Sequence, residues 1–118
     1  MIKIIDLLND KFESSSCRTP EYLNAHKQFK KEFIKLLKPY TKNILIHKPN
    51  HFDISGFFEL NNNEIYYFSI GDLRWNKIFL LRTATDFKDY TGGRNNFITL
   101  NYDFVNILFN KLGLNNGN

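Results

Sequence analysis

Glu64–Leu100, EIYYFSIGDLRWNKIFLLRTATDFKDYTGGRNNFITL, decides how this chain reads. Two short apolar runs, Ile65–Ile70 and Ile78–Leu81, flank a polar corner, Gly71–Asn76. Both runs are rich in aromatic and β-branched residues, the composition of strands. After the second run comes a segment, Thr83–Asn96, dense in functional groups. It holds Thr85, Asp86, Lys88, Asp89, Tyr90, the Gly92-Gly93 pair and Arg94, with Arg82 just before it. Such a segment reads as a loop, and loops carry much of protein function.

Working outward, the run after Pro49-Asn50 alternates Phe52, Ile54, Phe58 and Leu60 with Asp53, Ser55 and Glu59. That is a second strand, with Gly56 marking a bulge or bend. Lys42–Lys48 reads as the strand before it. Asn61-Asn62-Asn63-Glu64 has hairpin length, and Asn tolerates left-handed dihedrals. Ile65–Ile70 then returns antiparallel, Lys77–Thr83 follows, and Phe97–Leu100 supplies a short fifth strand. Upstream, residues 2–12 carry apolar side chains at helical spacing. Thr19-Pro20-Glu21 starts a second helix, with a capping hydroxyl, a proline in the first turn and an acid near the positive dipole end. This helix spans Pro20–Lys38, with Tyr22, His26, Phe29, Phe33, Leu36 and Leu37 as its buried stripe. Downstream, Asn101 caps a last helix whose stripe is Tyr102, Val105, Leu108, Phe109 and Leu112, and Gly113 ends it.

The expected fold is therefore α+β: two N-terminal helices, an antiparallel sheet of four to five strands and a C-terminal helix, as one domain over residues 1–118. Helices on one sheet face leave the other to be explained. Phe57, Tyr66 and Phe68 are the expected residues of that face. They form either a binding platform or a floor covered by the last helix or a second copy of the chain; a homodimer stays open.

The totals narrow the function classes. Net charge is +4, and residues 1–50 hold ten Lys/Arg against five Asp/Glu. The remaining residues hold six against seven, so the positive field belongs to the N-terminal part. Such a field suits DNA, RNA or an acidic protein, though solvated surfaces also carry it. Cys17 is the only cysteine, which excludes an internal disulfide. No apolar run approaches the ~20 residues of a membrane span. The expectation is a soluble cytoplasmic protein that needs no cofactor.

Candidate chemistry is sparse. His47 and His51 lie four apart across Pro49 with Asp53 nearby, short of the three or four converging ligands that zinc requires, so no metal site is assigned. Asp72, Asp86 and Asp89 are available acids, but no spacing pairs them with a base or nucleophile, and no catalytic residue is assigned. Within Tyr90–Asn96 the glycines can aim several backbone amides at one point. With Arg82, Lys88 and Arg94 beside them these amides suit a phosphate or carboxylate, while a plain structural turn explains the same glycines. Arg74-Trp75 adds a corner of residue types favoured as interface anchors. Lys27, Lys31, Lys35 and Lys38 line one side of the long helix, as a phosphate track or a solvated face.

Phe68–Arg74, Leu81-Arg82-Thr83-Ala84 and Lys88–Asn95 (KDYTGGRN) together resemble a group of small uncharacterised proteins of phages and mobile elements. The resemblance covers about residues 68–100 and carries no catalytic role. It implies a context in which small domains bind a host machine, including the nucleoprotein complexes of bacterial immunity such as CRISPR effectors. On this reading the chain blocks a host protein or nucleoprotein complex, as an anti-CRISPR inhibitor does. Arg74, Trp75, Arg82, Lys88, Asp89, Tyr90 and Arg94 are the contacts, and the helix lysines steer. One alternative is direct binding of DNA or RNA through Lys27, Lys31, Lys35 and Lys38. Another is an enzyme acting on a nucleotide or phosphodiester through the glycine loop and Asp86 or Asp89.

Overall fold

The computed structural model describes residues 20–47, 53–73 and 76–114. Within them lie helix α1 (Pro20–Leu37), a short 3-10 helix (Lys38–Tyr40), strands β1 (Thr41–Ile46), β2 (Ile54–Leu60), β3 (Ile65–Asp72), β4 (Asn76–Ala84) and β5 (Asn96–Thr99), and helix α2 (Phe104–Leu112). The class is α+β. All five strands form one antiparallel sheet in sequence order, β1-β2-β3-β4-β5. One helix precedes the sheet here; the helix expected over residues 2–12 lies outside the described residues, as does the Thr19 cap.

The α1 stripe falls where its 3.6-residue period places it. Tyr22, Ala25, His26, Phe29, Phe33 and Leu37 are buried. Phe33 is the hub, with ring centroids 4.8 Å from Phe68, 5.6 Å from Phe79 and 6.4 Å from Phe58. Phe104 of α2 reaches the same Phe79 ring at 5.1 Å. Both helices thus cover one face, which Ile54, Phe58, Leu60, Tyr66, Phe68, Ile70, Phe79, Leu81 and Ile98 present to them. Full burial of each such side chain stabilises by about 1.5–3 kcal/mol.

Four local expectations are corrected. Gly56 is not a bulge: β1 and β2 shift register between Thr41 and Asn43 instead. Glycine is needed because a Cβ there would collide with the Leu45 carbonyl oxygen and lie 3.0 Å from the Ile46 Cα. Tyr102 is not on the α2 stripe; it is exposed, and the helix starts two residues later. The cap position thus falls to Asp103 and not to Asn101, with no side-chain cap bond; Asn101 Oδ1 accepts the Asp103 amide at 3.0 Å in the turn before it. Tyr66 and Phe68 face the helices, not the open side.

The hairpin and the helix end form as their residues dictate. Asn63 adopts φ 76° in the β2–β3 turn. Gly113 ends α2 at φ 72°, its amide meeting the Asn110 carbonyl at 3.1 Å.

Candidate functional site

Alternation along a strand sends every second side chain away from the helices. On that outer face the register lines up Leu45, Phe57, Tyr67 and Arg82 as one row across β1 to β4. The next row runs from His47 beside Ser55, through Ser69 and Leu80, to Phe97 on β5. The first row carries an aromatic cluster separate from the helix-side core. Phe57 is fully buried, yet it stands outside the cluster that α1 and α2 form with the other face. Its cover is the β4–β5 loop of its own chain. Phe87 stacks on it at 5.6 Å and 14°, and Tyr90 packs edge-on at 5.3 Å. Tyr67 at 5.2 Å and His47 at 5.7 Å complete the ring of neighbours. Neither the last helix nor a second copy is needed to bury it.

The loop is held by its own acids. Asp89 Oδ2 accepts the Thr85 amide at 2.9 Å and the Thr85 hydroxyl at 3.2 Å. Its Oδ1 accepts the amides of Thr91 at 3.1 Å and Gly92 at 2.8 Å. These bonds, led by the Thr85 amide, hold the Asp89 carboxyl below the ordinary carboxylate range, since they favour its charged form. Asp86 Oδ1 accepts the Lys88 amide at 2.7 Å. Of the amides expected to face an outside phosphate, those of Thr91 and Gly92 are therefore filled from within. Gly92 leaves room for the Asp89 carboxylate. Gly93 sits at φ +75°, where a Cβ would lie 2.5 Å from the Thr83 carbonyl oxygen. The pair lets the loop close against β4.

The expected contact residues divide as follows. Arg82 lies on the outer face with its guanidinium 4.7 Å above the Tyr67 ring, a cation–π stack. Its Nε is buried without an acceptor among the described residues. Tyr90 is half exposed, and its hydroxyl meets His47 Nε2 at 3.2 Å while His47 Nδ1 meets Ser55 Oγ at 3.1 Å. Lys88 and Arg94 are exposed on the loop. Arg74 and Trp75 lie outside the described residues. Lys27, Lys31 and Lys35 on α1, and Lys38 just after it, are all exposed. They point away from the buried stripe, so sheet and core separate them from the loop. His51 lies outside the described residues; among those described, no three His, Cys, Asp or Glu side chains converge as a metal site requires.

Sequence reasoning missed Tyr67, Phe87 and Phe97 as members of this face. The run Ile65–Phe68 is apolar on both faces, so alternation alone does not say which tyrosine points out. Pairing with β2 and β4 decides it.

A second polar cluster ties α1 to the opposite edge of the core. The Tyr22 hydroxyl donates to Asp72 Oδ1 at 3.3 Å and accepts the Leu73 amide at 3.4 Å. His26 Nε2 donates to the Asp53 carbonyl at 2.9 Å. Burial pushes the His26 imidazole below its ordinary 6.5, against the opposing pull of that hydrogen bond. These bonds satisfy groups that would otherwise cost free energy in the core.

Fold and site together define an α+β protein with helices on one sheet face and a self-braced aromatic loop on the other. No protein-family model, curated protein or solved structure matches the chain. Among the described residues no helix is long and apolar enough to cross a membrane.

Proposed function

We propose that this chain is a non-enzymatic interaction protein of a phage or mobile element, acting in the host cytoplasm. It binds a host nucleic-acid-handling complex and blocks it sterically, and an inhibitor of a CRISPR effector is the concrete form. The observation that supports this most is the internal bracing of the β4–β5 loop. Asp86 and Asp89 accept the loop's own amides and so fix its shape, while Lys88, Tyr90 and Arg94, like Asp86, stay exposed. A loop fixed in this way presents contacts at little ordering cost on binding. Arg74 and Trp75 belong to the same reading as further contacts.

The test is a panel of purified CRISPR effectors and related immune nucleases, assayed for complex formation by size exclusion and for target cleavage. The expected result is a stable complex with one of them and loss of its target binding. If all remain unbound and fully active at micromolar inhibitor, the reading is wrong.

A second reading rests on a different observation, the four exposed lysines Lys27, Lys31, Lys35 and Lys38. Under it the chain binds DNA or RNA directly along α1, mainly through phosphates. Replacing all four by Ala would then lower affinity equally for every sequence and flatten its salt dependence.

A further inference from the structure

The two edges of the sheet, β1 and β5, differ. Along an antiparallel edge strand, alternate residues turn their amides and carbonyls away from the sheet. On β1 the His47 amide donates to the Ser55 carbonyl, and Leu45 stands opposite Phe57 and Asn43 opposite Glu59 in the same register. These residues face β2, so Ile44 and Ile46 present their backbone groups outward. On β5 the Leu100 amide donates to the Lys77 carbonyl, which leaves Phe97 and Thr99 facing out. The Thr99 carbonyl already accepts the Asn101 amide at 3.0 Å, and the strand is only four residues long. Its own turn thus blunts that edge. β1 is guarded at its start alone, where the register shifts between Thr41 and Asn43 and the Lys42 ammonium donates to Asn63 Oδ1. From Asn43 to Ile46 there is no charge, proline or bulge, the devices by which edge strands resist pairing. Leu45 is 43% exposed on the outer face, while Ile44 and Ile46 are half-buried against the helix-side core. Among the described residues no strand lies beyond β1.

From this we infer that two copies of this chain join through β1 into one continuous antiparallel sheet. A two-fold axis at Leu45 sets Ile44 opposite Ile46 of the partner subunit, and Ile46 opposite Ile44 of the partner subunit. Every outward amide and carbonyl of these residues then finds a strand partner. Leu45 meets Leu45 of the partner subunit in the closer kind of cross-strand pair, with Cα atoms about 4.5 Å apart. A second copy fits better than an unrelated strand because the segment is its own complement. It also brings no charge to the contact, although each chain carries +4. The blunted β5 edge offers little to the β1 of a third copy, so assembly closes at two and does not grow into a filament. One strand pair is a small interface, below about 1,200 Å², so the dimer is weak and forms in the micromolar range. The pairing goes beyond the proposed function and does not depend on it.

Sedimentation velocity of the full chain, across about two decades of micromolar concentration, tests it. Monomer is expected to pass to dimer and to nothing larger. Leu45→Lys sets like charges opposite each other across the axis, at a position open to solvent in the monomer. It is expected to weaken the dimer about tenfold or more, with the melting temperature of the dilute chain unchanged. Amide exchange reads the register. Ile44 and Ile46 are expected to gain protection as concentration rises, while Asn43 and Leu45, already turned toward β2, stay as they are. A chain that remains monomeric throughout overturns the inference, including one whose Ile44 and Ile46 amides become protected only when a host protein is added. A dimer indifferent to Leu45→Lys overturns it, as does a dimer in which those two amides gain nothing, because the contact then lies elsewhere. Full protection of Ile44 and Ile46 in the dilute monomer overturns it too, since a segment of the same chain then covers the edge. Growth into polymers overturns the closed two-fold pairing. Dimerisation by a chain that leaves every effector unbound overturns the proposed function and leaves this inference standing.

Discussion

The two faces of the sheet bury aromatic rings by different means. On the helix face Phe33 sits among Phe58, Phe68 and Phe79, supported by two helices whose own hydrogen bonds are internal. On the outer face Phe57 is just as enclosed, yet its roof is a loop with no regular structure. A loop can act as a roof only if its polar backbone is satisfied, and Asp89 does much of that for Thr85, Thr91 and Gly92. Helices close their face through apolar periodicity. The loop closes its face through one carboxylate and two glycines.

The largest expected effect sharpens this contrast. Phe33→Ala should cost about 3–5 kcal/mol in urea unfolding, because rigid helices cannot collapse into the void. Phe57→Ala should cost less, about 3 kcal/mol at most, since the loop can settle. Equal losses would mean that the loop is as rigid as the helices. Gly93→Ala comes next, at about 1–3 kcal/mol, from a left-handed dihedral combined with the close Thr83 carbonyl. Its expected signature is raised amide exchange over residues 85–95 with the helix-side core still protected.

Acid separates the two faces further. The His26 imidazole has its folded pKa below 6.5, so below that pH the unfolded chain binds a proton that the fold resists. Stability should be complete above the unfolded value and fall as pH drops from about 7 toward 5. His26→Gln should flatten that slope in melting curves. Asp89 has its folded pKa below 3.8, so its contribution is present above that value and lost as pH falls through the folded one. The smallest effect is therefore local: amide protection at Thr85, Thr91 and Gly92 should vanish only below about pH 4. Asp89→Asn should reproduce that loss at neutral pH with little change in melting temperature. If the loop opened at the pH where His26 titrates, the two faces would be one cooperative unit.

Much of this was legible in the chain itself. The stripe of Tyr22, Phe29, Phe33 and Leu37 and the stop at Pro39 prescribe α1, because helical spacing and proline geometry are local properties. The Asn-rich turn at 61–64 and Gly113 do the same for the hairpin and the last helix. Tyr66, Tyr67 and Phe68 were not assignable to faces, since all three are aromatic and only cross-strand pairing orients them. Gly56 looked like a bulge for the same reason: the close Leu45 carbonyl belongs to another strand.

The loop shows the division most sharply. From sequence, Asp89, Gly92, Gly93 and the nearby cations were recognisable as one functional cluster, because their residue types and proximity are written in the chain. Whether the amides would face an outside anion or the chain's own carboxylate was a matter of three-dimensional closure. Seating Phe87 and Tyr90 on Phe57 brings the loop down on the sheet, and that apolar burial draws Asp89 onto the amides. Hydrophobic burial between segments distant in sequence, which no local pattern encodes, decided which groups face inward and which remain free to bind.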